Sequence, residues 1–175
     1  DATLPITAQG TTVVTWTYDD GNGNTTTQTQ NVVIDDVTDP VAPVLANITG
    51  ECSATAVAPT TTDNCGGTIT GTTTDPLTYN TQGTFVINWT FDDGNGNSIT
   101  VPQNVIVDDV TAPTPDAPTL ADVTAECEVT SLTAPTASDN CAGTVTVTND
   151  ATLPITAQGT TVVTWTYDDG NGNTT

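Results

Sequence analysis

The sequence predicts an all-β protein made of small antiparallel β-sandwich modules repeated in tandem. Internal repetition is the first observation, because residues 150–175 repeat residues 1–26 without a change and so define a period of 149 residues. The second is that apolar residues alternate with a period of two, and no stretch has a helical period. The third is the recurrence of Asp-Asp-Gly-Asn-Gly-Asn at 19–24, 92–97 and 168–173, at spacings of 73 and 76 residues. Short strands and turns at this spacing are typical of tandem β-sandwiches.

The composition excludes several classes of function. The 175 residues include 21 Asp and Glu and no Lys, Arg or His, which gives a net charge of −21. Nucleic acid and anionic membranes are excluded as partners because both attract cationic side chains. No apolar run of 18 residues is present, so no membrane insertion is expected in this segment. Without His or Lys, the usual nucleophile–base pairs cannot form, and we predict that the chain is not an enzyme.

The first hairpin defines residues 1–36 as the C-terminal half of a module. Gly10 to Tyr18 alternates β-branched and aromatic residues with threonine, which predicts a strand with one core face. Asn-Gly in the following turn favours the positive φ angles of hairpins. A second strand is predicted from Thr26 to Ile34. The joint at 35–43 contains two prolines, which stiffen it and prevent a helix.

Residues 37–109 are predicted to form one complete module. Its last two strands are the clearest, because Phe85, Ile87, Trp89 and Phe91 share one face and Ser98 to Val107 follows the Gly-rich turn. Pro102 inside the final strand indicates an edge or a bulge. The earlier strands are predicted at Val44–Ile48, Cys52–Ala58 and Thr68–Thr73.

Residues 110–175 repeat this plan as a second module that lacks its last strand. It shares the Asp-Asp-Val-Thr joint, the Glu-Cys element at 126–127 and the Asp-Asn-Cys element at 139–141. A strand is predicted over Thr144–Thr148.

The four cysteines indicate disulfides rather than zinc. Cys52 and Cys65 are 13 residues apart, and Cys127 and Cys141 are 14 apart, whereas zinc ligands cluster more tightly. We predict one disulfide inside each module, which would contribute about 3 kcal/mol on the chain-entropy model. Disulfides also indicate an extracellular location, outside the reducing cytoplasm.

The ordered motifs resemble a known family. Residues 39–49, the Cys52 element, residues 58–67, residues 83–90 and the turn at 92–97 together resemble the HYR (hyalin repeat) module. The resemblance implies immunoglobulin-like modules that occur in extracellular, adhesion-linked proteins. The near-identical, lysine-free repetition is similar to giant repetitive surface adhesins of gliding bacteria, the SprB-like group. Cysteines common in HYR modules near Ala46 and on the last strand are missing here, so no second disulfide per module is expected.

Calcium is the one cofactor that the sequence suggests, at the joints between modules. In an immunoglobulin-like module the entering linker, the loop before the third strand and the final turn lie at one end. Such oxygen-rich clusters suit Ca²⁺, which extracellular modules bind at about 10⁻⁴–10⁻³ M. The alternative is that these acids form only a polar turn and a solvated linker. The candidate ligands at the first joint are Asp35, Asp36, Asp39, Asp63, Asp92 and Asp93, and at the second joint Asp108, Asp109, Asp139, Asp168 and Asp169.

The tryptophans have two interpretations. Trp16, Trp89 and Trp165 lie on the apolar face of their strands, and this favours a place in the core over a sugar-stacking stripe.

Repetition favours a mechanical function, since a ligand site would need only one copy. We predict a structural stalk or filament of an extracellular bacterial surface adhesin, linked to gliding motility, that bears force and projects a tip. Its partners would be neighbouring modules of the same chain, with lateral self-association and an unknown surface or glycan ligand at a tip. The alternatives are that the modules themselves bind glycans or proteins, or that they are spacers of a secreted enzyme.

Overall fold

The computed structural model describes residues 3–141 and 143–175 and confirms the all-β prediction. Within these residues there are thirteen β-strands and no helix, and therefore no helix that could cross a membrane. The strands are β1 Gly10–Asp19, β2 Thr25–Ile34, β3 Ile48–Gly50, β4 Ala54–Thr55, β5 Thr60–Thr62, β6 Thr68–Thr70, β7 Thr78–Tyr79, β8 Gly83–Asp92, β9 Ser98–Val107, β10 Thr114–Pro115, β11 Ala137–Ser138, β12 Thr146–Asn149 and β13 Trp165–Asp168.

Long hairpins form where the sequence predicts them. β1 pairs with β2 from Gly10↔Ile34 to Asp19↔Thr25, and β8 neighbours β9 in a second hairpin. Both glycines of the connecting turn have positive φ, which is 82° at Gly94 and 110° at Gly96. Glycine reaches this region without a steric penalty, so the repeated Gly-Asn-Gly sequence directs the reversal.

The other strands are shorter than predicted. Residues 44–47 are not a strand, and the first strand of the complete module is reduced to β3, with Val44 fully exposed. β3 pairs with β9 in parallel, at Ile48↔Val105 through Gly50↔Val107, so the sheets are not purely antiparallel. The residues of β9 that pair with β3 lie beyond Pro102, which has no N–H to donate to a neighbouring strand. The remaining sheets are two-stranded antiparallel pairs, and the tandem immunoglobulin-like arrangement stays a prediction.

The chain divides into two compact units, and each contains one predicted joint. The first unit comprises residues 1–45, 58–74 and 88–102, and the second comprises residues 46–57, 75–87 and 103–175. The predicted module boundaries at 36/37 and 109/110 are a different division, which the structure does not test.

The core of the first unit forms around the end of β8. Trp89 and Phe91 are fully buried, and Thr72 pairs with Thr90 between them. A Cβ atom on Gly71 would lie 3.0 Å from the Phe91 ring and 3.3 Å from Trp89, so glycine lets the chain approach both rings closely. The core prediction is confirmed for Trp89. It is wrong for Trp16, which is 53% exposed, because β1 and β2 pair only with each other in the part of the chain that the structure describes.

The core of the second unit is lined by small and β-branched side chains. Ile87, Val105 and Val107 are fully buried on β8 and β9, and the buried Ala54 and Ala56 lie in β4 and directly after it. Tyr167 on β13 is also buried, whereas Trp165 on the same strand is half-buried.

Candidate metal centre

The Asp-Asp-Gly-Asn-Gly-Asn turn folds around the carboxylate of its second aspartate. Asp93 Oδ1 accepts hydrogen bonds from the N–H groups of Asn95 at 2.7 Å and Asn97 at 3.2 Å, and Asp93 Oδ2 accepts one from Asn97 Nδ2 at 2.8 Å. Asp169 makes the same contacts with Asn171 and Asn173. Aspartate side chains commonly organise turns in this way.

These hydrogen bonds stabilise the charged carboxylates. At Asp93 the side-chain hydrogen bond from Asn97, followed by backbone N–H groups, lowers the pKa below its ordinary value. At Asp169 desolvation opposes the change, yet the hydrogen bonds from Asn173 and the backbone still lower the pKa. A carboxylate that accepts several N–H bonds is favoured in its ionised form.

We expect the turns to lose stability in acid. Because the folded-state pKa values of Asp93 and Asp169 are lowered, their contribution is complete above about pH 5 and is lost as the pH falls through the folded pKa values. Urea unfolding followed from pH 7 to pH 2 in a calcium-free buffer should show this loss. The double variant Asp93→Asn, Asp169→Asn should be less stable at pH 7 and should respond less steeply to acid. An unchanged acid response in that variant would contradict the assignment.

The first joint places a buried aspartate beside this turn. Asp36 is 6% exposed, and its Oδ1 accepts the N–H of Thr38 while its Oδ2 accepts Asn95 Nδ2 at 3.1 Å. Asn97 Nδ2 also reaches the Asp36 carbonyl oxygen at 3.0 Å. On the other side, the N–H of Asp36 donates to Gln9 Oε1 at 3.0 Å. Hydrogen bonds with residues before and after the joint therefore hold Asp36 in place.

The second joint repeats this arrangement. Asp109 is 4% exposed, and its carboxylate accepts the N–H of Thr111 and, at 3.0 Å, Asn171 Nδ2. Asn173 Nδ2 donates to the Asp109 carbonyl oxygen at 2.9 Å, and the N–H of Asp109 donates to Gln82 Oε1 at 2.9 Å. The same kinds of side chain thus fix both joints.

Each joint gathers potential ligand atoms. Carboxylate oxygens of Asp109, Asp139 and Asp169 lie within 4.8 Å of one another, and in the first unit carboxylate oxygens of Asp36 and Asp63 and the Cys65 sulfur do so. A carboxylate oxygen of Glu51 also lies within 4.8 Å of one of Asp109, whereas the neighbouring Cys141 sulfur is bonded to Cys52 and is not a ligand. Asp109 and Asp169 are both more than nine-tenths buried.

Two orphaned oxygens indicate that these clusters fit a cation. Asp63 Oδ1 and Asp139 Oδ2, at equivalent positions, are buried and have no hydrogen-bond partner among the described residues. The chain has no Lys, Arg or His to neutralise them. Burying an ionised carboxylate without a partner raises the free energy of the folded state. Two oxygens bound to one Ca²⁺ at about 2.4 Å can be at most about 4.8 Å apart, so the measured separations are compatible with that ion.

The structure brings together some of the predicted ligands and leaves others apart. Asp36, Asp63, Asp109, Asp139 and Asp169 belong to the clusters, and Asp93 adjoins Asp36 through Asn97. Asp92 and Asp168 instead accept the N–H groups of Gly94 and Gly170 within their turns. The exposed predicted ligands, outside the clusters found among the described residues, are Asp35, Asp39, Asp92, Asp108 and Asp168.

Sequence reasoning missed the residues that position these carboxylates. Asn95, Asn97, Asn171 and Asn173 connect the turn aspartates to Asp36 and Asp109. Their signal is present in the sequence, because both asparagines recur at fixed positions after each aspartate pair. The pattern alone assigns them only to turn formation.

The disulfide crosses the second joint, and the predicted pairing inside each module is wrong. Cys52 bonds to Cys141, 89 residues away, with Cα atoms 4.7 Å apart, while Cys65 and Cys127 are free and exposed. The residue before each bonded cysteine supplies the reason. The Glu51 carboxylate accepts hydrogen bonds from Asn140 Nδ2 and, at 2.9 Å, from Thr111 Oγ1. Sequence spacing indicates only loop length, whereas the hydrogen bond from Asn140 to Glu51 joins the two segments that carry the bonded cysteines.

Comparisons with known proteins agree with the motif resemblance. Residues 40–107 match the family model described as an HYR-like domain with 4 cysteines, although this stretch contains two, Cys52 and Cys65. The chain is 36% identical over 186 residues to hyalin of Lytechinus variegatus, an alignment that covers 94% of this chain and 34% of that protein. Hyalin of Strongylocentrotus purpuratus gives the same identity and covers 94% and 15%. The chain thus spans about a third or less of these relatives. No solved structure matches it.

The residues that carry the resemblance, the family match and the two relatives all lead to one conclusion. Residues 40–107 match the HYR-like family model, and the chain is similar to animal hyalins over 94% of its length.

Proposed function

We propose that this chain is part of an extracellular, adhesion-linked stalk built from tandem immunoglobulin-like modules. The observation that carries the proposal is the way each joint is held. Asp36 and Asp109 each contact a glutamine that precedes the joint and two asparagines of the turn that follows it. A tether that only connects two modules needs none of these contacts. Joints fixed on both sides allow successive modules to transmit force along the array.

The relatives support an extracellular, structural role. Both are named hyalin, and the matched family is the HYR-like domain. The disulfide fits an oxidising compartment. The absence of Lys and Arg removes the cleavage sites of trypsin-like proteases, which suits an exposed filament. We retain a bacterial surface adhesin of gliding type as the proposed setting, on the strength of the near-identical repetition, although both relatives are animal proteins.

Calcium at the joints is part of the proposal. Asp109, Asp139 and Asp169 would hold one ion, and Asp36 and Asp63 a second, with the neighbouring turn carboxylate Asp93 within reach of Asp36. The ion would supply the positive charge that the chain lacks and would occupy the orphaned oxygens of Asp63 and Asp139. Without it, clustered carboxylates repel one another and loosen the joint. With it, each joint becomes stiffer.

The test is how length depends on repeat number. Each module with strands of about ten residues should advance about 35 Å at about 3.3 Å per residue. Adding one 149-residue repeat, which contains two modules, should therefore lengthen the molecule by about 70 Å. Small-angle X-ray scattering on the present chain and on the lengthened chain, in calcium, measures this increment. A maximum dimension that grows only as it does for compact proteins of the same masses would refute the stalk.

A further inference from the structure

The disulfide of the second joint has two unpaired counterparts in the same chain. Aligning the repeats through Glu-Cys at 51–52 and 126–127 makes Cys127 the equivalent of Cys52. Aligning them through Asp-Asn-Cys at 63–65 and 139–141 makes Cys65 the equivalent of Cys141. The bond between Cys52 and Cys141 therefore joins one cysteine of each class. The two free cysteines are again one of each class.

The same local hydrogen bonds surround each free cysteine and its bonded equivalent. The N–H of Cys65 donates to Asp63 at 2.8 Å, as the N–H of Cys141 donates to Asp139 at 2.9 Å. Gln82 Nε2 donates to the Glu51 carbonyl oxygen at 2.8 Å, and Gln158 Nε2 donates to that of Glu126 at 3.4 Å. Both free thiols are exposed and accessible to a partner.

We propose that one disulfide crosses every joint of the array. Cys127 would bond to the Asp-Asn-Cys cysteine of the next module, and Cys65 to the Glu-Cys cysteine of the preceding module, as Cys52 bonds to Cys141. Each bond forms when two thiols lose two protons and two electrons to a disulfide oxidant, such as oxidised glutathione, which is reduced to two thiols. The result is a continuous chain of sulfur bridges parallel to the backbone. This inference rests on the proposed stalk.

This arrangement limits how far the stalk can be stretched. With every joint bridged, the shortest covalent path through a module runs from one bridge to the next, through the 14-residue step from Cys127 to Cys141 or the 13-residue step from Cys52 to Cys65. Fully stretched, that path measures about 50 Å, at about 3.3–3.6 Å per residue. A module without bridges could be drawn out to about 260 Å when unfolded, over a spacing of 76 residues. Force would then reach the bridges before it could unfold the modules far.

Cysteine mapping tests the proposal directly. The chain extended by one 149-residue repeat should be oxidised with oxidised glutathione at mildly alkaline pH, because the thiolate is the form that attacks a disulfide. Digestion at aromatic and acidic residues without reduction, followed by mass spectrometry, identifies the linked pairs. We expect Cys52 to be linked with Cys141, and Cys127 with the first Asp-Asn-Cys cysteine that the added repeat supplies. Pairing inside a module, or a Cys127 that stays alkylatable, would overturn the proposal.

Two further arms complete the experiment. Cys127→Ser should free the thiol of its predicted partner and leave the bond between Cys52 and Cys141 intact. If instead the Cys127 bond forms between separate chains on a non-reducing gel, the bridges join filaments and the in-line proposal is wrong. Under single-molecule force, oxidised modules should release less than about 20 Å each and reduced modules more than about 200 Å. Scattering can show a rod whatever the cysteines do, so failure here would be distinguishable from failure of the stalk.

Discussion

Replacing Trp89 with alanine should destabilise the first unit by about 3–5 kcal/mol, the usual cost of removing a buried aromatic side chain. Trp89 is 1% exposed, lies next to Thr90 and Phe91 on β8, and is approached closely by Gly71. The alanine variant would leave a cavity that these neighbours could fill only in part. Urea unfolding of the full chain, monitored by circular dichroism, measures the loss.

The repeat itself provides the matched control. Trp16 occupies the same position before Asp-Asp-Gly-Asn-Gly-Asn but is 53% exposed, and its indole N–H donates to Gln30 Oε1 at 3.0 Å. Trp16→Ala should therefore cost about 1 kcal/mol, typical of one lost hydrogen bond at an exposed site. Equal losses in the two variants would mean that Trp16 is buried in solution, contrary to the structure.

Calcium should stabilise the chain, and two ions should bind. If each joint binds with a Kd of about 10⁻⁴ M, then about 10 mM Ca²⁺ adds about 2.7 kcal/mol per site and raises the melting temperature. Isothermal titration calorimetry should give two ions per chain. Asp139→Asn should reduce the number to one, and the double variant Asp63→Asn, Asp139→Asn should reduce it to none.

The calcium proposal also predicts the direction in which a substitution changes the melting temperature when calcium is absent. In chelator, Asp139→Asn should raise the melting temperature, because it removes one of three mutually repelling carboxylates. Asp108→Asn is the matched control, since Asp108 lies in the same joint but is exposed and outside the clusters found among the described residues. Its calcium response should equal that of the unmodified chain. Identical melting curves in calcium and chelator would remove calcium from the joints.

Local pattern was enough to predict the hairpins and to name five acids that the structure brings together in clusters, whereas calcium binding stays a prediction. The alternation along 83–92 and the Gly-Asn-Gly turn predicted β8 and β9 almost to the residue, because both signals act within a few neighbouring positions. The short strands β3 to β7 were less predictable. Their bounds depend on pairing with distant partners, as β3 does with β9, and threonine-rich segments carry little local preference for where a strand stops.

The sequence by itself determined the repetition, the all-β class, the resemblance to the HYR-like family and the absence of any basic side chain, because periodicity, composition and the order of motifs are written in it. Only the tertiary structure decided that Cys52 bonds to Cys141, that Trp16 is exposed while Trp89 is buried, and that Asp36 and Asp109 are the linker acids inside the clusters. These outcomes depend on which distant segments pack together. Glu51, Asn95 and Asn171 connect such segments through side-chain hydrogen bonds, which sequence spacing does not encode.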